Sequence, residues 1–262
     1  MKTISTYGAV LILLIALIRS GSASNLANPL TPLPPARIGI GLSYSLGGHT
    51  ITNREIPALL NRIHCRATYS PVSLINFGFD LGATQLEVAS DTTTRDTLGI
   101  FHGEYRFSVG GHLKLSTPLY RDLVGAVAIA QTTRFSSSNE HDARYEGIDG
   151  DAALGVLFHI PGIGYAALGP KVYLIRGKNR GYDGAEGKFA NVNNVRAWLA
   201  VDYFPRVGTI MENRPYFSFE MSLSPEVAFR KRAPVQEFEF SITFGTVTPR
   251  LYGEVSEAPW EP

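Results

Sequence analysis

Apolar residues alternate one for one with small, polar or charged residues along strand-length stretches of this chain. In 237–244, Phe238, Phe240, Ile242 and Phe244 fall on one side, and Glu237, Glu239, Ser241 and Thr243 on the other. Side chains alternate across a strand, so period two sets one face against apolar surroundings and the other against something polar. The pattern predicts strands at 38–46, 75–88, 104–117, 151–160, 165–176, 195–203, 216–224 and 237–246. A further strand at 65–70 is short and poorly patterned, and one at 123–134 is apolar on both faces, with Ala126, Ala128 and Ala130 on the smaller side. In 75–88 the parity slips after Gln85 to Leu86 and Val88, as a β-bulge would cause. The count is ten, with eight as the alternative.

The charges decide which face points where. Asp80, Glu104, Arg106, His112, Lys114, Arg196, Asp202, Glu220, Glu237 and Glu239 share the faces that carry glycine, alanine and serine. Turned toward lipid, an Arg or Lys costs roughly 2–4 kcal/mol at mid-membrane. Turned inward with both signs present, the same groups pair with one another. The expectation is an all-β fold: a closed antiparallel transmembrane barrel with its apolar face to lipid and an ion-pair network filling a narrow lumen.

Connections alternate in length. Tight, proline-bearing turns are expected at 71–74, 118–122 and 161–164, and longer polar loops near 47–63, 90–103, 136–150 and 178–194. Short turns inside and long loops outside is the outer-membrane arrangement, and it places both ends of the barrel domain on the periplasmic side. The connections 205–215 and 228–236 fit less well, being long for a turn and short for an outer loop. Tyr44, Tyr105, Tyr165, Tyr203 and Phe204 near strand ends are candidates for interfacial aromatic girdles.

Residues 1–23 read as a cleaved signal peptide: Lys2, an apolar run over 9–18, then Gly21-Ser22-Ala23 before the cut. That run is half of what a membrane-spanning helix needs. A proline-rich leader follows at 24–36, then the barrel at 37–246 and a tail at 247–262. The net charge of +1 gives no basic surface for nucleic acid. A single cysteine, Cys65, excludes an internal disulfide and reads as a small buried or lipid-facing residue.

On these features, the export signal, alternating segments such as 38–46 and 104–115, and the loop asymmetry, residues 37–246 resemble the bacterial outer-membrane β-barrel superfamily, broadly the small OmpA-type barrels. The resemblance implies a porin-like Gram-negative envelope protein, monomeric, inserted by the barrel-assembly machinery and surrounded by outer-membrane lipids. Such chains commonly end on the last strand with an aromatic residue. Phe244 would hold that place, yet the chain runs on to Pro262.

Candidate chemistry is sparse. The run Asn139-Glu140-His141-Asp142 lacks the spacing of a calcium loop, and no nucleophile, zinc or phosphate-loop motif occurs. The expectation is no enzyme, no metal and no cofactor. Basic residues Arg176, Lys178 and Arg180, with Arg230, Lys231 and Arg232, are candidates for contact with anionic lipopolysaccharide. A structural or surface-interaction barrel is the first functional expectation. A narrow solute channel, a lipid-modifying enzyme or protease, and an exported soluble lipid-binding barrel are the alternatives.

Overall fold

The computed structural model describes residues 29–30, 33–51, 56–89, 101–121, 123–181, 184–191, 195–205, 213–224 and 237–248. The expected signal peptide, Arg230–Arg232 and all but the first two residues of the tail lie outside these residues.

Twelve strands form one antiparallel sheet: β1 (Arg37–Ile51), β2 (Ile56–Val72), β3 (Ile75–Val88), β4 (Phe101–His102), β5 (Arg106–Ser116), β6 (Val124–Ser138), β7 (Arg144–Ile160), β8 (Gly164–Arg180), β9 (Glu186–Ala190), β10 (Val195–Tyr203), β11 (Arg214–Leu223) and β12 (Phe238–Val247). Ten of them close the barrel. β1 pairs with β12, β8 with β10, and the two-residue β4 and five-residue β9 only extend the edges of β3 and β8. Closure leaves no unpaired edge in the ring, which a strand surrounded by lipid requires.

The face assignment is as the charges demand. Leu42, Phe79, Leu81, Phe107, Leu154, Leu168 and Phe244 point outward and are more than half exposed. Ser43, Asp80, Ser108, Lys114, Arg196, Glu220 and Thr243 point inward and are buried. An exterior this apolar over so many strands does not suit water, and it rules out the soluble barrel. Cys65 takes its place among the exposed outward residues.

The expected loops are shorter than their polarity suggested. β1 runs to Ile51 and β2 starts at Ile56, so most of 47–63 is strand. Likewise β6 and β7 leave only 139–143 between them, and β8 continues to Arg180. A membrane-spanning strand needs about 9–11 residues. β2, β7 and β8 have 17 each, so these strands continue well past the lipid band.

Beyond the band the preference of each face inverts. Outward positions meet water and become charged, while inward positions become apolar. This corrects the expected bulge after Gln85. The β2–β3 register runs without a break from Ala58 and Val88 to Tyr69 and Phe77, and the irregularity lies between Tyr69 and Val72. Leu86 and Val88 are simply inward residues at the level where the interior turns apolar, with Ile51, Leu60, Phe101, Phe135, Tyr173, Ile175 and Phe189 around them.

Glycine on the inner wall makes room for large partners. Tyr216 lies opposite Gly245, which is in turn opposite Gly41. A Cβ at Gly245 would stand 2.3 Å from the Tyr216 ring carbon Cζ. Gly245→Ala should therefore lower stability by about 1–3 kcal/mol through overpacking. Urea unfolding of the purified barrel reads this; an unchanged midpoint would mean that Tyr216 can swing clear.

Candidate functional site

The lumen is filled in three layers. Toward the end bearing the short turns at 73–74 and 161–163 lies an apolar core of Val127, Ile129, Leu157, Tyr165, Trp198, Phe204, Tyr216 and Val247. Leu30 and Leu33 complete it, both with no exposed surface. The proline-rich leader is thus a correction to the sequence reading: instead of only leading into β1, this part of it folds into the mouth of the barrel. Lys114 Nζ donates to the carbonyl oxygens of Pro29, at 2.5 Å, and Leu30, at 3.1 Å. Ser70 Oγ donates to the Leu33 carbonyl at 2.9 Å.

The middle layer is ionic. Arg66 grips Asp80 with two bonds of 2.5 and 3.1 Å and reaches Gln131 at 2.7 Å. His112 lies 3.4 Å from the same carboxylate and 2.8 Å from the Thr68 hydroxyl. One step toward the other end, Arg62 pairs with Asp149. Lys171 bridges Glu239 and Asp151, the latter at 3.1 Å. Arg196 binds the second Glu239 oxygen at 3.0 Å, contacts His49 Nδ1 at 2.9 Å, and stacks 5.0 Å above the Tyr173 ring. Such two-sided pairing is what allows charges to be taken out of water at all. The third layer is the apolar cluster around Tyr173, Phe135 and Leu60 at the long-hairpin end.

Of the residues expected in the lumen, Asp80, His112, Lys114, Arg196, Asp202, Glu220, Glu237 and Glu239 are buried in it. Glu104 and Arg106 are not. They pair with each other at 2.8 Å with both side chains more than half exposed, and Arg106 Nε donates to Ser138 on the outer wall at 3.0 Å. The strand pattern continued into 104–106, but β3 and β5 pair only as far as Thr84 and Arg106, and the chain there is rim. Arg62, Arg66, Asp149, Asp151 and Lys171 escaped the sequence reading. Arg62 and Asp149 fell in stretches expected as loops, 47–63 and 136–150, and the other three lay in expected strands without being assigned to the lumen; alternation with Ile63, Ala67 and Ile148 was the available signal.

Two expected girdle residues are also corrected. Tyr165 and Phe204 are buried in the turn-end core. Tyr105 and Tyr203, also expected there, do face outward at 43 and 44% exposure, and Tyr120, not expected, joins them at 69%.

The outer wall changes character at one level. Ile148 and Leu174 are the last large apolar outward residues on β7 and β8. Beyond them the exposed outward positions are Arg144, Glu146, Arg176, Lys178 and Arg180, joined by Arg134 from β6 and Lys188 from β9. Arg106, Arg144 and Arg180 line a recess of about 690 Å³ together with Ser136, Ser138, Asp142, Gly181 and Gly184. At the neighbouring hairpin tip, His141 and Glu140 are 3.5 Å apart and largely exposed. Among the described residues no group of histidine, cysteine or carboxylate side chains is arranged to hold a metal.

No family model matches the chain, and no curated protein is similar enough in sequence to match. Several solved outer-membrane structures are distantly similar to it. An outer membrane channel from Pseudomonas putida is 12% identical over 84% of this chain and 97% of its own, with a TM-score of 0.44. The outer membrane protease OmpT from Escherichia coli is 11% identical over 86% of this chain and 97% of its own, at 0.40. The transport unit of the Escherichia coli autotransporter AIDA-I is 8% identical over 85% and 95%, at 0.37. With its closed ten-strand ring, apolar exterior and charged interior, this chain has the fold of an outer-membrane β-barrel.

Proposed function

We propose that this protein is a non-conducting outer-membrane barrel that serves as a rigid scaffold for contacts at the cell surface, its short turns toward the periplasm. The filled lumen carries this proposal. Arg62, Arg66, Lys171 and Arg196 are at most 1% exposed across its middle, and Leu30 and Leu33 close the turn end. The long, paired side chains that β2, β8 and β10 send into the lumen support closure to water and ions. The buried histidines His49, His64 and His112 are hydrogen-bonded to lumen partners. That supports a structural role for them, not a catalytic one.

The narrow-channel alternative has one observation in its favour: Pro29, Leu30 and Leu33 close the end by docking and are no part of the sheet. Single-channel recording in planar bilayers tests the two. The full chain should show no steady conductance at moderate voltage. A stable open level in the unmodified protein would overturn the scaffold proposal and favour the channel.

A further inference from the structure

We propose that the outward face of β7, β8 and β9 beyond the lipid band is a binding site for the phosphates of outer-leaflet lipopolysaccharide. The site deepens the scaffold proposal, from which it takes only the orientation of the barrel. Three observations point to an anion there. First, like charges are set opposite each other in the sheet: Arg144 faces Arg180 across β7 and β8, and Lys178 faces Lys188 across β8 and β9. Directly opposed like charges destabilise a sheet, and an anion held between them relieves the repulsion. Nearby carboxylates offset part of the charge: Glu146 is 3.1 Å from Arg144, Glu186 is paired in register with Arg180, Glu104 pairs with Arg106 at 2.8 Å, and Asp142 lines the recess itself. The cations still outnumber them. Second, Arg106, Arg144 and Arg180 converge on one recess that also offers the Ser136 and Ser138 side chains. Guanidinium groups bind phosphate oxygens in a fork, and serine hydroxyls add donors. Third, the site adjoins the lipid. Arg176 is opposite Ile148 and one outward position beyond Leu174, the last exposed apolar residues on their strands. A phosphorylated lipid lying against β7 and β8 would place its acyl chains on Leu154, Leu168, Val172 and Leu174 and its head group at the arginines. A soluble phosphate would have no use for that adjacency.

The test uses the full chain folded in detergent and titrated with purified lipopolysaccharide, with the same lipid after enzymatic dephosphorylation, and with inorganic phosphate as competitor. Arg144→Gln combined with Arg180→Gln should weaken lipopolysaccharide binding about tenfold or more. Arg121→Gln, an arginine-to-glutamine change of one charge in the turn at the opposite end, should leave it unchanged. Dephosphorylated lipid should bind the parent as weakly as intact lipid binds the double variant. Heat-modifiable gel mobility checks folding, and Lys178→Gln with Lys188→Gln is the second pair should the first not fold. Equal lipopolysaccharide binding by parent and folded variant overturns the site, as does equal binding of the dephosphorylated lipid. Competition by inorganic phosphate at the concentrations effective for the lipid would overturn the lipid as occupant. Conductance is untouched by these changes, so a failure here is distinct from a failure of the scaffold proposal.

Discussion

Replacing Lys171 by Met should lower the stability of the barrel by about 3–5 kcal/mol, the penalty for leaving a buried charge without its partner. The Lys171 ammonium sits between Asp151 and Glu239 with its side chain 1% exposed. Without it, two carboxylates remain in the same buried layer with one cation fewer, while Arg196 and the Ser222 hydroxyl, 2.7 Å from Glu239, still hold Glu239. The loss should therefore be largely recovered when Asp151→Asn accompanies Lys171→Met, because the amide needs no counter-charge and Arg196 still holds Glu239. Arg106→Gln gives the contrasting case. It removes an ion pair of similar length at the exposed rim, where water already solvates both groups, and should change stability by less than about 1 kcal/mol. Urea unfolding in lipid vesicles, followed by tryptophan fluorescence, measures all four proteins. If Lys171→Met and Arg106→Gln shift the midpoint equally, the lumen is wetter than the interlocked side chains imply.

The second large effect concerns the leader. Leu30→Ser with Leu33→Ser should release Pro29, Leu30 and Leu33 from the barrel mouth while the barrel stays folded. Burying a leucine is worth about 1.5–3 kcal/mol, and the contacts left to the segment are chiefly the Lys114 and Ser70 bonds to its carbonyls, which water can replace. The β-ladders do not depend on the segment, so gel mobility should stay heat-modifiable. Hydrogen exchange and limited proteolysis read the release: the segment should be protected in the parent and cut readily in the variant. Conductance should nevertheless stay low, because the Arg62, Arg66 and Arg196 layer is a separate closure. An unaltered cleavage pattern would show that the two leucines do not hold the segment. A large pore on release would show that the ionic layer does not close the lumen.

Between the two ends of the lipid band, alternation alone determined this protein. The expected segments at 38–46, 75–88, 195–203, 216–224 and 237–246 all fall on observed strands, and Arg196, Glu220 and Glu239 were legible as inward from their parity with Ser and Gly. The reason is physical. Lipid outside and a packed polar interior inside impose opposite demands on successive residues, and each demand can be met only one way. Outside the band that contrast fades or reverses. At 144–150 the outer face meets water and charge appears on both faces, and there, as over most of 56–64, the sequence reads as loop although it is strand. Which charges meet was also beyond the sequence, since Arg62 finds Asp149 across 87 residues and Lys171 finds Glu239 across 68. The same holds for the opposed pair Arg144 and Arg180, where the register of β7 on β8 brings like charges together. The leader is the clearest case. Its prolines forbid a place in the sheet. Whether Leu30 and Leu33 stay in water or enter the barrel depends on a space between Trp198, Tyr216 and Leu157 that exists only once the ring has closed.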